Sequence, residues 1–203
     1  VRRNSARATW ILASGNRGKL DELAAMLADF DIAVIAQHEL EIPAVEETAT
    51  TFVENALIKA RNAAARGGLP ALADDSGLVV EALDGAPGIR SARFAGPRAT
   101  DAQNVGKLLE DLADVPDGSR GAHFHCSIVL LRSPDDPAPL IVEGRWHGEI
   151  AQTPSGSGGF GYDSIFFDPA LGVTAATLAR GDKNRVSHRA QALAALALGL
   201  AHG

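Results

Sequence analysis

Asp74 and Asp75 follow the apolar run Ala71-Leu72-Ala73, and Ser76 and Gly77 come straight after them. Like charges this close repel, so they need solvent, a cation or a proton to coexist. A hard cation such as Mg²⁺ prefers oxygen ligands, which makes the pair suitable for a metal-assisted site marked by Asp75. The same letters suit a plain turn at a strand end, because Asp, Ser and Gly are ordinary turn formers. Taken alone, the stretch leaves both readings open.

Three further stretches carry chemistry-bearing side chains. Ser14-Gly15-Asn16-Arg17-Gly18-Lys19 leaves a strand and enters a helix. Free backbone N–H groups and the positive end of a helix suit phosphate there, and Lys19 adds a charge. It is not a Walker A loop, since Ala13 stands where Gly is needed and Leu20 where Ser or Thr would bind Mg²⁺. By itself the turn reads more simply as a capped helix with a surface lysine. The segment Gly156 to Asp163 matches G-x-G-x-x-G by letter, but the strand-like Tyr162 to Phe167 follows, so a dinucleotide fingerprint is rejected. Phe160 and Tyr162 beside those glycines offer a flat base a stacking partner, a contact of ~1–3 kcal/mol per base in nucleic-acid sites. The simpler reading puts both aromatics in the core of a hairpin.

The third stretch is Lys183-Asn184-Arg185-Val186-Ser187-His188-Arg189, where three cations and a histidine bracket an expected helix start. Cations beside the positive end of a helix are unfavourable, which favours an anionic or polar ligand there. His123 and His125 share one strand face, with Cys126 on the other. A zinc site needs further ligands at suitable spacing, so the pair reads as structural and Cys126 as a buried packing residue.

These stretches need a scaffold. The chain has 203 residues, 46% hydrophobic and 22% charged, which fits a soluble globular protein with one core or two small lobes. A net charge of −6 argues against a broad nucleic-acid surface. A single cysteine permits no internal disulfide and fits a reducing compartment. The apolar run from Ala192 to Ala201 is too short to cross a bilayer. The basic N-terminus lacks the apolar segment of a signal peptide, so residues 1–8 read as a flexible leader.

Strands are expected at Thr9–Ala13, Ile32–Ile35, Leu69–Asp74, Leu78–Ala82, Ala122–Arg132, Leu140–Ala151 and Ile165–Phe167. Leu20, Leu23, Ala24, Leu27 and Phe30 recur at helical spacing. Thr51 with Glu54, and Thr100 with Gln103, are capping-box pairs that open two more helices. Gly67-Gly68 stops the first of these, and Ser187 is a natural cap for a last helix to Leu200. Gly85-Ala86-Pro87-Gly88 reads as a turn. The alternation suggests α/β with a mixed sheet.

In their order and spacing these motifs resemble the inosine triphosphate pyrophosphatase family, the dITP/XTP pyrophosphatases. The resemblance runs from Ile11 to about Leu198. It rests on Ser14-Gly15-Asn16 with Lys19, Thr51 to Ala56 with Lys59-Ala60, and Ala73 to Gly77. It continues through Gly85 to Gly88 with Ser91-Ala92-Arg93, then Gly159 to Asp163, and Lys183 with Ser187-His188-Arg189. Departures are Ser14 for Thr, Ser164 for Pro, and Thr177 and Asp182 where the family usually carries Glu.

The resemblance implies an α/β fold with an elongated mixed β-sheet flanked by helices, in two lobes around a central nucleotide cleft, as a single domain over residues 9–203. It implies Mg²⁺-dependent hydrolysis of ITP, dITP and XTP to the monophosphate and pyrophosphate, which keeps such bases out of DNA and RNA. Asp75 is then metal ligand or general base, with Glu47 or its neighbour Glu46 completing the metal site. Ser14, Gly15, Asn16, Arg17, Gly18 and Lys19 hold the triphosphate, Ser76 contacts substrate, and Lys183 and Arg93 are candidates to support phosphates. Phe160, with Gly161 and Tyr162, forms the stacking loop, and Asp163, His188 and Arg189 read the base edge. A cytoplasmic homodimer is implied, with no direct nucleic-acid or membrane partner. Alternatives are a pyrophosphatase for pyrimidine or modified nucleotides, a non-catalytic nucleotide sensor, and a structural oligomer subunit.

Overall fold

The computed structural model describes residues 8–28 and 32–202, with the backbone alone at Arg17, Met26 and His202. The expected leader lies outside the described residues except for Ala8, which opens the first strand, and Phe30 also lies outside them. Seven strands form one sheet in the order β2-β1-β3-β4-β5-β6-β7. They are β1 (Ala8–Leu12), β2 (Ile32–Ala36), β3 (Ala71–Val80), β4 (Gly121–Leu131), β5 (Leu140–Ile150), β6 (Phe166–Asp168) and β7 (Val173–Thr174). β1 runs parallel to both neighbours, with Ile11 opposite Ile35 and Ala71. β6 is antiparallel to both β5 and β7, so the sheet is mixed, as expected.

The helices are α1 (Arg17–Leu27), α2 (Phe52–Gly67), α3 (Asp101–Asp111), α4 (Arg180–Val186) and α5 (His188–His202). Local signals set most of their ends. The Thr51 side chain accepts from the Glu54 N–H, and Gly68 closes α2 at φ 64°, a left-handed value that suits glycine. Thr100 and Gln103 make both arms of a capping box at α3. Among the described residues, no helix is long and apolar enough to cross a membrane.

Two expectations fail. The first is a turn after Asp75: β3 is one continuous strand of 10 residues, and Asp74 to Gly77 lie inside it. β3 sits between β1 and β4 in the sheet, and Asp74, Asp75 and Gly77 are buried within it. Leaving the sheet there would strand buried N–H and C=O groups, which outweighs the turn preference of Asp-Ser-Gly. The second concerns the basic cluster. Arg180–Val186 forms its own helix, and Lys183 and Arg185 lie in its last turn, the end that favours cations. Ser187 is extended at φ −66° and ψ 159°, and its Oγ accepts from Ala190 N, 3.2 Å away, to start α5. Only His188 and Arg189 therefore stand at a helix N-terminus.

By internal packing the chain divides into two compact units, Val1–Asp75 with Ser127–Val142 and Ala192–Gly203, and Ser76–Cys126 with Glu143–Gln191. In the first, Ala56, Ala60, Ala63 and Ala64 of α2 share a buried cluster with Ile11, Ala13, Ala71 and Ala73. Small side chains let this helix lie close to the sheet, and a Cβ on Gly67 would collide with the Ile11 side chain. In the second, Leu78, Leu108, Phe124, Trp146, Tyr162 and Phe166 form the core. The Trp146 Nε1–H donates to Asp168 Oδ2 at 2.7 Å, so the buried indole keeps a polar partner.

Candidate functional site

Successive side chains on a strand point to opposite faces. Strand geometry therefore separates Asp74 from Asp75, and each meets its own lysine. Asp74 Oδ2 lies 3.1 Å from Lys19 Nζ, and Asp75 Oδ1 lies 2.9 Å from Lys59 Nζ. Lys19 comes from the first turn of α1, where Asn16 caps the helix by accepting from the Lys19 N–H at 3.1 Å. The Asn16 N–H in turn donates to Ser14 Oγ at 3.2 Å. Gly15 is exposed, and a Cβ there would meet nothing within 4 Å, so the loop borders open space. Gly18 and Lys19 are half-buried, and the side chain of Arg17 is outside those described.

Lys59 holds a second carboxylate, Glu47 Oε1, also at 2.9 Å. Glu46 is exposed, so Glu47 is the member of the acidic loop that reaches Asp75's partner. One helical turn before Lys59, buried Asn55 points Nδ2 at Asp75 Oδ2, 3.5 Å away, and its Oδ1 accepts from Ala49 N at 3.0 Å. Residues four apart share a helix face, so α2 presents Asn55 and Lys59 to the same carboxylate. The sequence reading assigned neither a role. Their i, i+4 spacing on the face that carries Ala56 and Ala60 was the available signal: a lysine on a buried face needs a reason.

Asp74, Asp75 and Glu47 pair with Lys19 and Lys59. Burial pushes the Asp75 carboxyl above its ordinary range, against the pull of Lys59 and Lys19. Burial pulls Lys59 down, but Asp75, Asp74 and Glu47 together hold it above its ordinary value. Both groups favour keeping a proton, Asp75 through burial and Lys59 through its carboxylate neighbours. Among the described residues no three His, Cys, Asp or Glu side chains gather into a ready metal cage. The oxygen donors of Asp75 and Glu47 do converge on one cation, the Lys59 ammonium, and such oxygens are the ligands a hard cation prefers.

The second unit holds the aromatic cluster. Phe160 is half-buried, with Lys183 Nζ at 5.0 Å and Arg189 Cζ at 5.3 Å from its ring centroid. Asp163 Oδ2 accepts from Lys183 Nζ at 2.7 Å and from the Phe160 N–H at 2.9 Å. A Cβ on Gly159 would strike that carboxylate, so glycine is needed there for the close approach. Arg189 Nη2 donates to Ser76 Oγ at 3.0 Å. Ser76 follows Asp75 directly in β3. His188 is buried, its ring stacked on Phe124 at 4.9 Å. The Tyr162 side chain belongs to the core, and its hydroxyl donates to the Ser91 carbonyl at 2.8 Å. Arg93 is half-buried at the end of a short 3₁₀ segment, Gly88–Arg93.

His123, His125 and His147 lie among other side chains. His125 Nε2 lies 3.5 Å from Glu143 Oε1, and the His123 ring centroid is 5.3 Å from that of His147. Cys126 is buried, as expected.

Comparison with known proteins agrees over almost the whole chain. The Ham1 family matches residues 10–198. A dITP/XTP pyrophosphatase of Yersinia pestis is 58% identical over 183 residues, 90% of this chain and 93% of its own. One from Shigella flexneri is 55% identical over 193 residues, 95% of this chain and 98% of its own. The solved structure of a HAM1 protein from Coxiella burnetii has a TM-score of 0.89 and 52% identity, over 97% of this chain and 100% of that one.

Proposed function

The chain belongs to the Ham1 family, and on that premise we propose that it hydrolyses dITP, XTP and ITP to the monophosphate and pyrophosphate. The single observation that carries this reading is the buried Asp75 carboxylate held by Lys59, in a chain 58% identical to a dITP/XTP pyrophosphatase. The Asp75 carboxylate is held in place by a lysine and an asparagine, the fixed placement that a general base needs.

In this reading Asp75 takes a proton from the water that attacks the α-phosphorus, and the bond to the β-phosphate oxygen breaks as pyrophosphate leaves. Lys19, Lys59 and the Ser14–Lys19 loop hold the triphosphate. Asp75 and Glu47 would hold Mg²⁺, which when bound neutralises phosphate charge and lowers the pKa of the water. Phe160 stacks the base. His188 and Arg189 read its edge, while Ser76 orients Arg189. An Arg donor fits the O6 acceptor of hypoxanthine or xanthine and leaves the N6 donor of adenine mispaired, a discrimination that a buried hydrogen-bonding site can make strong. Asp163 first shapes the stacking loop, because its carboxylate is engaged by the Phe160 N–H and Lys183. Lys183, so held, stands ready to support phosphate. A cytoplasmic homodimer fits the same family reading, and the net charge of −6 fits the absence of a nucleic-acid partner.

Pyrophosphate release across ITP, dITP, XTP, GTP, ATP, dUTP and dTTP, with and without Mg²⁺, tests it. The 6-keto purine triphosphates lacking a normal cellular role should lead, and only with the metal. A preference for dUTP or dTTP overturns the substrate assignment. Tight nucleotide binding with no release under any metal points to a sensor.

A further inference from the structure

Phe160 closes a segment that is exposed from Gln152 to Gly159 and has no regular structure. Gly159 and Gly161 flank it at φ 72° and 62°, in the left-handed region. Glycine reaches such values freely, so the backbone alone does not hold one orientation of the ring. Contacts must supply it. Tyr162 anchors the loop at one end, through its buried ring and its bond to the Ser91 carbonyl.

Two consecutive N–H groups then each meet a carboxylate. The Phe160 N–H donates to Asp163, three residues on. The Gly161 N–H donates to Asp101 Oδ2 at 2.6 Å, from a residue sixty positions earlier. Asp101 is the first residue of α3, and the Thr100–Gln103 box fixes that helix end. A carboxylate at this position also suits the helix dipole, which would be its whole role if the contact were incidental. The contact is not needed for that role, and it lands on the residue next to the stacking ring.

We propose that Asp101 is a positioning residue for base recognition: its carboxylate pins the Gly161 N–H and so fixes the Phe160 ring for stacking. The inference rests on Phe160 being the stacking platform, as proposed above. Loss of the pin weakens ground state and transition state alike, because the base is remote from the phosphorus attacked; KM therefore rises while kcat holds.

The test compares Asp101→Ala with Asp101→Asn, whose amide oxygen can still accept. In Asp101→Ala, amide hydrogen exchange over residues 158–163 should quicken in the ligand-free protein. KM for dITP should rise roughly fivefold, the ratio one ordinary hydrogen bond carries, with kcat within about twofold. Asp101→Asn should restore both. Unchanged exchange or unchanged KM in Asp101→Ala overturns the proposal, and so does a KM that Asp101→Asn fails to restore. A lower unfolding temperature with KM intact would leave Asp101 as a helix-end charge alone and likewise overturn it. If the wild-type chain hydrolyses none of the nucleotides, the enzymatic reading fails; hydrogen exchange then decides separately whether Asp101 pins the loop.

Discussion

Lys59 carries two carboxylates at once, and its replacement by methionine is the sharpest test of the Asp75 cluster. Lys59→Met keeps most of the side-chain stem and removes the charge. At an effective dielectric constant of about 20, each 2.9 Å contact represents a gross attraction of about 6 kcal/mol. Desolvation offsets much of that, and removing one partner of a buried pair costs about 3–5 kcal/mol. The Glu47 side chain is 28% exposed, so solvent screens its share, and we expect the low end, about 3 kcal/mol at pH 8.

The pH dependence follows from Asp75. Its folded pKa lies above the ordinary 3.8, through burial first, and Lys59 is the strongest influence holding it down. Without Lys59 it rises further. A carboxyl with a raised folded pKa binds its proton more tightly when folded. Its charge therefore costs no stability below 3.8, and the cost grows as pH rises through the folded value. The loss in Lys59→Met should be largest at pH 8 and shrink toward pH 5 as Asp75 takes a proton. Lys59 does not confound this window: its pKa is raised, so its contribution is complete below 10.5 and fades only as pH passes the higher folded value. Urea unfolding of both proteins from pH 5 to 8 measures the difference. A loss that is equal across the range, or greatest at pH 5, refutes the charge argument, and so does a loss below about 1 kcal/mol at pH 8.

Two substitutions probe the proposed chemistry. Asp75→Asn should lower turnover by about a thousandfold, within the range for general-base catalysis, while calorimetry still detects nucleotide binding; unchanged turnover would remove Asp75 from the mechanism. Phe160→Leu keeps an apolar side chain but loses the aromatic face, and should raise KM by roughly tenfold with kcat nearly unchanged, in line with base stacking of ~1–3 kcal/mol. A KM equal to that of the wild type would place the base elsewhere.

Helix boundaries were legible where the signal is local. Thr51 and Thr100 each cap a helix through a residue three positions away, and Gly68 ends one by its own φ, so nearby letters suffice. β3 was not legible as one strand, because Asp-Ser-Gly are turn formers by type, and only their burial in the folded chain keeps Asp74 to Gly77 extended. The short helix α4 was missed as well: Arg-Gly-Asp-Lys-Asn-Arg-Val has no apolar stripe to mark it. Lys59 is the plainest case within the site. On a helix of unknown surroundings a lysine reads as a solvated charge, and only the nearness of Glu47 and Asp75 makes it a counter-ion.

The sequence by itself determined the family, the order of the motifs and which side chains bear chemistry, because those properties reside in residue type and spacing. Tertiary structure alone decided how Asp74 and Asp75 coexist. Strand alternation sends them to opposite faces, and two helices bring one lysine to each. The carboxylate pair was therefore never a like-charge contact awaiting relief at a turn. Each carboxylate has its own lysine, and at Asp75 burial still holds the carboxyl above its ordinary range.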